Sequence, residues 1–67
     1  MDLMDKFEKN VKLMLEEKGI SQAEFSRRLN VGKSTVNSWL KVHKEPTLSN
    51  ICKILEELKC DFKDLVD

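Results

Sequence analysis

Four consecutive residues, Gly32-Lys33-Ser34-Thr35, have the form in which a phosphate-binding P-loop ends. A P-loop wraps phosphates in backbone amides and needs a second glycine five residues ahead of the Gly-Lys pair. Arg27 stands there, and the preceding "SQAEFSRRLNV" has helical spacing rather than the β-branched run of a strand. Nucleotide binding is rejected on both counts. Cys52 and Cys60, eight residues apart, match no zinc spacing, and the single His43 completes no cluster. No metal and no cofactor is therefore expected. With Cys52 on a helix and Cys60 just past its end, the two lie too far apart for a disulfide and fit the role of small, reduced apolar residues. That histidine has no paired nucleophile, and the carboxylates scatter over outer faces, so no enzyme and no small-molecule substrate is expected.

What remains is hydrogen bonding to a large polar partner, and the charge distribution says which kind. The chain of 67 residues is formally neutral, but not evenly so. Residues 1–20 carry four cations against five acids, and residues 47–67 three against five. Between them Arg27, Arg28, Lys33, Lys41 and Lys44 face only Glu24 and Glu45, with His43 alongside, a net +3. An anion-binding face would need this concentration of positive charge in the middle third, although a basic solvated surface would look the same on charge alone.

Several short helices must position these groups. Leu3, Phe7, Val11 and Leu15, with Met14, recur at i, i+4, which predicts a helix over 3–18 stopped by Gly19. In "ISQAEF", Ser21 is placed to cap the amide of Glu24 and Glu24 to return a bond to the amide of Ser21. Ile20 and Phe25 flank that start as a hydrophobic staple. The second helix runs to Leu29, with Phe25 and Leu29 inward and Ser26 small enough for close packing. Asn30 tolerates a left-handed stop. Gly32 caps a third helix, 33–41, with Val36 inward and Trp39 in the same phase, hence core. Thr47 caps a fourth, 48–58, whose stripe is Leu48, Ile51, Ile54, Leu55 and Leu58. Asp61 opens a short fifth that carries Phe62, Leu65 and Val66. No segment alternates with period two, so the fold class is all-α, a single domain over 1–67. A chain this short buries only about 60% of its unfolded surface. No apolar run reaches membrane-spanning length, and the acidic, amphipathic N-terminus is not signal-like, so a cytoplasmic location is expected.

Residues 22–41 thus form two short helices around a tight turn, with apolar residues at 25, 29, 31, 36 and 39 and a small one at 26. This is the arrangement of a helix-turn-helix, in which the second helix offers a polar outer face to a major groove. Here that face is Lys33, Ser34, Asn37 and Ser38, with no acid among them.

In "GISQAEFSRRLNVGKSTVNSWL", then "EPTL", then "ICKILEELKCDFKDLV", the chain resembles the Cro/phage-repressor (XRE-like) type of helix-turn-helix transcription regulators, from about Lys6 to Asp67. The resemblance implies a compact five-helix, lambda-repressor-like fold, of bacterial or phage type, that binds double-stranded DNA. It implies that Gln22 binds a backbone phosphate and that Lys33, Ser34, Asn37 and Ser38 read bases. Further phosphate contacts are expected from Ser21, Arg28, Thr35, Lys41, His43 and Lys44. The chain departs from the family pattern at Asn30, usually Gly, at Gly32, usually Ser or Thr, and at Val42, usually the glycine that ends the third helix. A β-branched residue is costly at positive φ, so the loop "KVHKEP" is expected to take another course.

The expected function is a small repressor acting by operator occupancy. A protein-binding module on the same fold, such as an antitoxin or a partner-docking regulator, is the alternative that the neutral net charge suggests. One short helix touches too few base pairs to single out a site, so a homodimer on DNA, weak in solution, is expected. The apolar face of Phe62, Leu65 and Val66 either closes the core or, with the chain ending soon after the fifth helix, is the best candidate for self-contact.

Overall fold

The computed structural model describes residues 2–67. Its five helices are α1 (Leu3–Lys18), α2 (Gln22–Leu29), α3 (Lys33–Lys41), α4 (Leu48–Leu58) and α5 (Phe62–Val66). The described residues contain no strand, so the fold class is the all-α one expected from the sequence.

The helix starts follow local chemistry. The side chains of Asp2, Ser21 and Thr47 each accept a bond from the amide three residues on, at 2.9, 3.1 and 3.2 Å. This satisfies one of the otherwise unpaired donors of the first turn. In α5 the carboxylate of Asp64 accepts from the Asp61 amide at 3.0 Å. The helix ends share a second device. Gly19, Asn30 and Lys59 have φ of 67°, 58° and 54°, so the chain turns left-handed after α1, α2 and α4. The amides of Ile20, Val31 and Cys60 then reach back to the carbonyls of Leu15, Ser26 and Leu55. Only Gly19 takes this conformation without steric cost.

The core is one cluster: Phe7, Val11 and Leu15 of α1, Phe25 and Leu29 of α2, Val36, Trp39 and Leu40 of α3, Ile54 and Leu58 of α4, and Leu65 of α5. Ile20 packs on its edge, as the staple requires. Helix α5 lies along α1, and the Asn10 side-chain amide donates to the Leu65 carbonyl at 3.0 Å.

Three local expectations change. The carboxylate of Glu24 does not return to the Ser21 amide. It accepts from Arg27 and Arg28, two guanidinium groups one turn on, so only half of the capping box forms. Leu48, at the first position of α4, overshoots the core and is 79% exposed. Leu65 does the reverse: it is fully buried, and Phe62 rather than Leu65 stands at the surface. Cys52 and Cys60 are both free, as the spacing implied, with Cys52 exposed and Cys60 half-buried against the core.

Candidate nucleic-acid interface

Helix α3 is held from beneath by Val36, Trp39 and Leu40, which are buried in the core. Three inward residues in a helix of nine fix its rotation. On a 3.6-residue turn Ser34 and Ser38 lie opposite this buried stripe, while Asn37 flanks it and Lys33, at the first position of the helix, stands at its end. Accordingly Lys33, Ser34 and Asn37 are exposed and Ser38 is half-buried. On α2, Ser26 is buried and donates its hydroxyl to the Ala23 carbonyl at 2.7 Å. A larger residue would overpack that site, and an unbonded hydroxyl would cost free energy there.

Two shallow depressions meet on α3. Gln22 and Ala23, at the start of α2, line the first together with Lys33, Ser34 and Asn37. Thr35, Ser38, Lys44, Thr47 and Asn50 line the second, again with Ser34. Thus the first turn of α2, the outer face of α3 and the first turn of α4 form one continuous polar surface. Helix starts present free amides and the positive end of the helix dipole, both of which favour phosphate. Thr47, which caps α4, and Asn50 also belong to this surface. Their proximity to α3 depends on the α3–α4 loop. Glu45 is the one acid on the rim of the second depression.

That loop solves the problem of Val42 by moving the left-handed residue one place on. Val42 has φ −115°, and His43 takes φ 60°. The amides of Val42 and Lys44 both reach the Ser38 carbonyl, at 3.2 and 3.1 Å. This turn aims the His43 ring back at α1, where Nδ1 stands 2.8 Å from the Glu8 carboxylate and 3.6 Å from that of Asp5. The Glu8 oxygen is otherwise without a hydrogen-bond partner among the described residues. Lys41 and Lys44, by contrast, are exposed and make no ion pair among the described residues.

Arg28 is placed like His43. Its guanidinium bonds Glu24 and, at 3.2 Å, Glu57 of α4, so it ties α2 to α4. Hydrogen bonds from Arg27 and then Arg28 hold the Glu24 carboxyl below the usual carboxylate range, and Glu24 and Glu57 in turn raise the Arg28 guanidinium. The Cys60 thiol is pushed up by burial, and next by the charges of Asp64 and Asp61, which favours the protonated, unreactive form. The described residues contain no group of side chains able to hold a metal ion.

Next to the second depression, with which it shares Glu45, the α3–α4 loop and helices α1, α4 and α5 leave an open apolar groove of about 470 Å³. Leu3, Leu48 and Phe62, three of the exposed large apolar residues, stand around it with Met4, Phe7, Ile51, Leu55 and Val66. Leu3 and Leu48 were not expected at such an edge. No described helix is long and apolar enough to cross a membrane.

No curated protein and no solved structure matches the chain. A helix-turn-helix family model matches residues 11–65, which takes in the inner part of α1, all of α2 to α4 and most of α5. With that match over the elements that build the polar surface, the chain belongs to the Cro/C1-type helix-turn-helix family of DNA-binding regulators.

Proposed function

We propose that this protein is a sequence-specific, double-stranded DNA-binding regulator that represses by occupying its operator, with residues 1–67 as one binding unit. The observation that carries the reading is the outer face of α3, where Lys33, Ser34, Asn37 and Ser38 stand together without a carboxylate. Helix α3 enters a major groove and these four side chains meet base edges. Gln22, Ser21 and Thr35 hold phosphates beside the free amides of the helix starts, and Lys41 and Lys44 add charge. Arg28 and His43, expected among the phosphate contacts, are engaged by Glu24 and Glu57 and by Glu8, and we assign them to the scaffold.

The functional unit on DNA is a homodimer whose contact is the groove between α1, α4 and α5. Leu65 is part of the core, so the self-contact shifts from the expected α5 edge to Leu3, Leu48 and Phe62. The eleven residues that line the groove fall well short of the roughly 20–30 per partner of a stable interface, so the pair forms mainly on DNA. There, two domains on a twofold axis read half-sites about 34 Å apart and combine their affinities.

Selection of bound sequences from random duplexes, followed by footprinting, tests both parts. Two symmetric protected half-sites are expected, and Phe62→Glu or Leu48→Glu should reduce them to one while the fold persists. Both side chains are exposed, which separates loss of pairing from unfolding. A single asymmetric footprint, indifferent to both substitutions, would show a monomer. No binding to any duplex at low salt would favour a protein-binding module, the reading that the neutral net charge suggests.

A further inference from the structure

The face of α3 carries enough chemistry to say which bases it takes. Resting on the reading of α3 as the major-groove helix, we propose that Lys33 selects a guanine and Asn37 an adenine about two base pairs away. Ser38 selects a neighbouring base that bears an exocyclic amine.

Lys33 is the first residue of α3, is exposed, and makes no ion pair among the described residues. Its ammonium has three donors and no acceptor. In the major groove only guanine offers two adjacent acceptors, O6 and N7. Adenine sets an amine beside its N7, which repels a second donor. Asn37 is also exposed, and its amide makes no hydrogen bond within the described residues. It presents one acceptor beside two donors, the complement of the N6 amine and N7 of adenine and of no other base edge.

The spacing between the two bases follows from the helix. Four residues at 1.5 Å each put Asn37 about 6 Å along the axis from Lys33. Bases on one strand repeat about every 3.4 Å, so a helix lying along the groove carries the second contact about two steps on.

Ser38 is constrained by a bond that the sequence does not reveal. Its hydroxyl donates to the Ser34 carbonyl at 2.8 Å, which commits its only proton. The two lone pairs remain, so toward DNA the side chain acts as an acceptor. It fits the N4 amine of cytosine or the N6 amine of adenine, and not O6 of guanine or O4 of thymine.

The test uses the whole chain and duplexes taken from the random-sequence selection. Wild-type protein is measured on the selected half-site, on the same site with 7-deazaguanine, which lacks N7, and with purine for adenine, which lacks the N6 amine. The selected half-sites should contain guanine and adenine about two base pairs apart. Each analogue should weaken binding about tenfold, at the scale of one base contact. The 7-deazaguanine effect should vanish in Lys33→Ala, the purine effect in Asn37→Ala, and the preference for an amine-bearing base in Ser38→Ala. The analogue effects are first read on the unaltered protein, and circular dichroism of each alanine variant confirms that it is folded before its binding is compared. A well-defined site without this pair of bases, or analogue effects that persist in the alanine variants, would overturn the assignment and leave DNA reading by α3 intact. Absence of duplex binding at low salt would overturn both.

Discussion

Helices α2 and α3 are almost the same length, eight and nine residues, yet they are finished in opposite ways. Helix α2 has a serine cap at its start, a left-handed asparagine at its end, and cations neutralised by Glu24 and Glu57. Helix α3 starts at Gly32 with no side-chain cap, has no acid in its first turn, and leaves Lys33 and Lys41 unpaired among the described residues. Both bury three residues, all of them core in α3 and two of them, Phe25 and Leu29, core in α2. The difference assigns roles. Helix α2 is stabilised by its own local bonds, whereas α3 is stabilised from below and keeps its polar groups for an outside partner.

The comparison breaks most completely if α3 does not depend on its inner face. Trp39→Ala should cost about 3–5 kcal/mol, as deletion of a buried tryptophan does, and so threaten the whole fold of so small a chain. Chemical denaturation measures it, and a loss under about 1 kcal/mol would show that α3 has other support. Next comes a pair of opposite effects. Lys33→Ala should lose about 1–3 kcal/mol of discrimination between specific and random duplexes with an unchanged melting temperature. Arg28→Ala should slightly lower the melting temperature and leave DNA affinity unchanged. Should Arg28→Ala weaken binding to all sequences, Arg28 also serves the interface and the division between the two helices fails.

The caps sharpen the comparison with smaller effects. Ser21→Ala should cost about 1 kcal/mol of stability through the lost bond to the Glu24 amide. Gly32→Ser should gain a few tenths of a kcal/mol, because it gives α3 the cap it lacks. The backbone there has φ −70°, and an added Cβ would meet nothing closer than Thr35 Oγ1 at 3.7 Å, so the side chain fits. Thermal melting reads both, and a destabilised Gly32→Ser would mean that the start of α3 is constrained by something other than its cap.

How far the sequence discloses this structure depends on the reach of each signal. The starts and stops of α2 are legible because Ser21, Glu24 and Asn30 act within one turn. The inner face of α3 is legible from the phase of Val36 and Trp39. Glu24 shows a limit even at short range, because two arginines one turn away compete with the Ser21 amide for one carboxylate. Leu48 and Leu65 show another. A stripe of apolar residues fixes a face, but not which end of it meets the core, and α5 is anchored by an Asn10 bond across the length of the chain. The α3–α4 loop is similar. The cost of positive φ excludes Val42, but His43 takes that conformation with Glu8 of α1, far away in sequence, as its partner. Within the proposed interface, the exposure of Lys33, Ser34 and Asn37 is legible from the residues of α3. The withdrawal of Arg28 and His43 onto carboxylates is not, because it depends on tertiary neighbours.

The most direct test of the central claim, that α3 and its flanking helix starts form a DNA-binding face, is the salt dependence of duplex binding. Lys33, Lys41 and Lys44 together would neutralise roughly three phosphates, while the neutral amide of Gln22 adds a contact without releasing a counterion. Affinity measured across a range of salt concentrations should fall with a log-log slope of about −2.7. A flat dependence, or no duplex binding even at low salt, would contradict it.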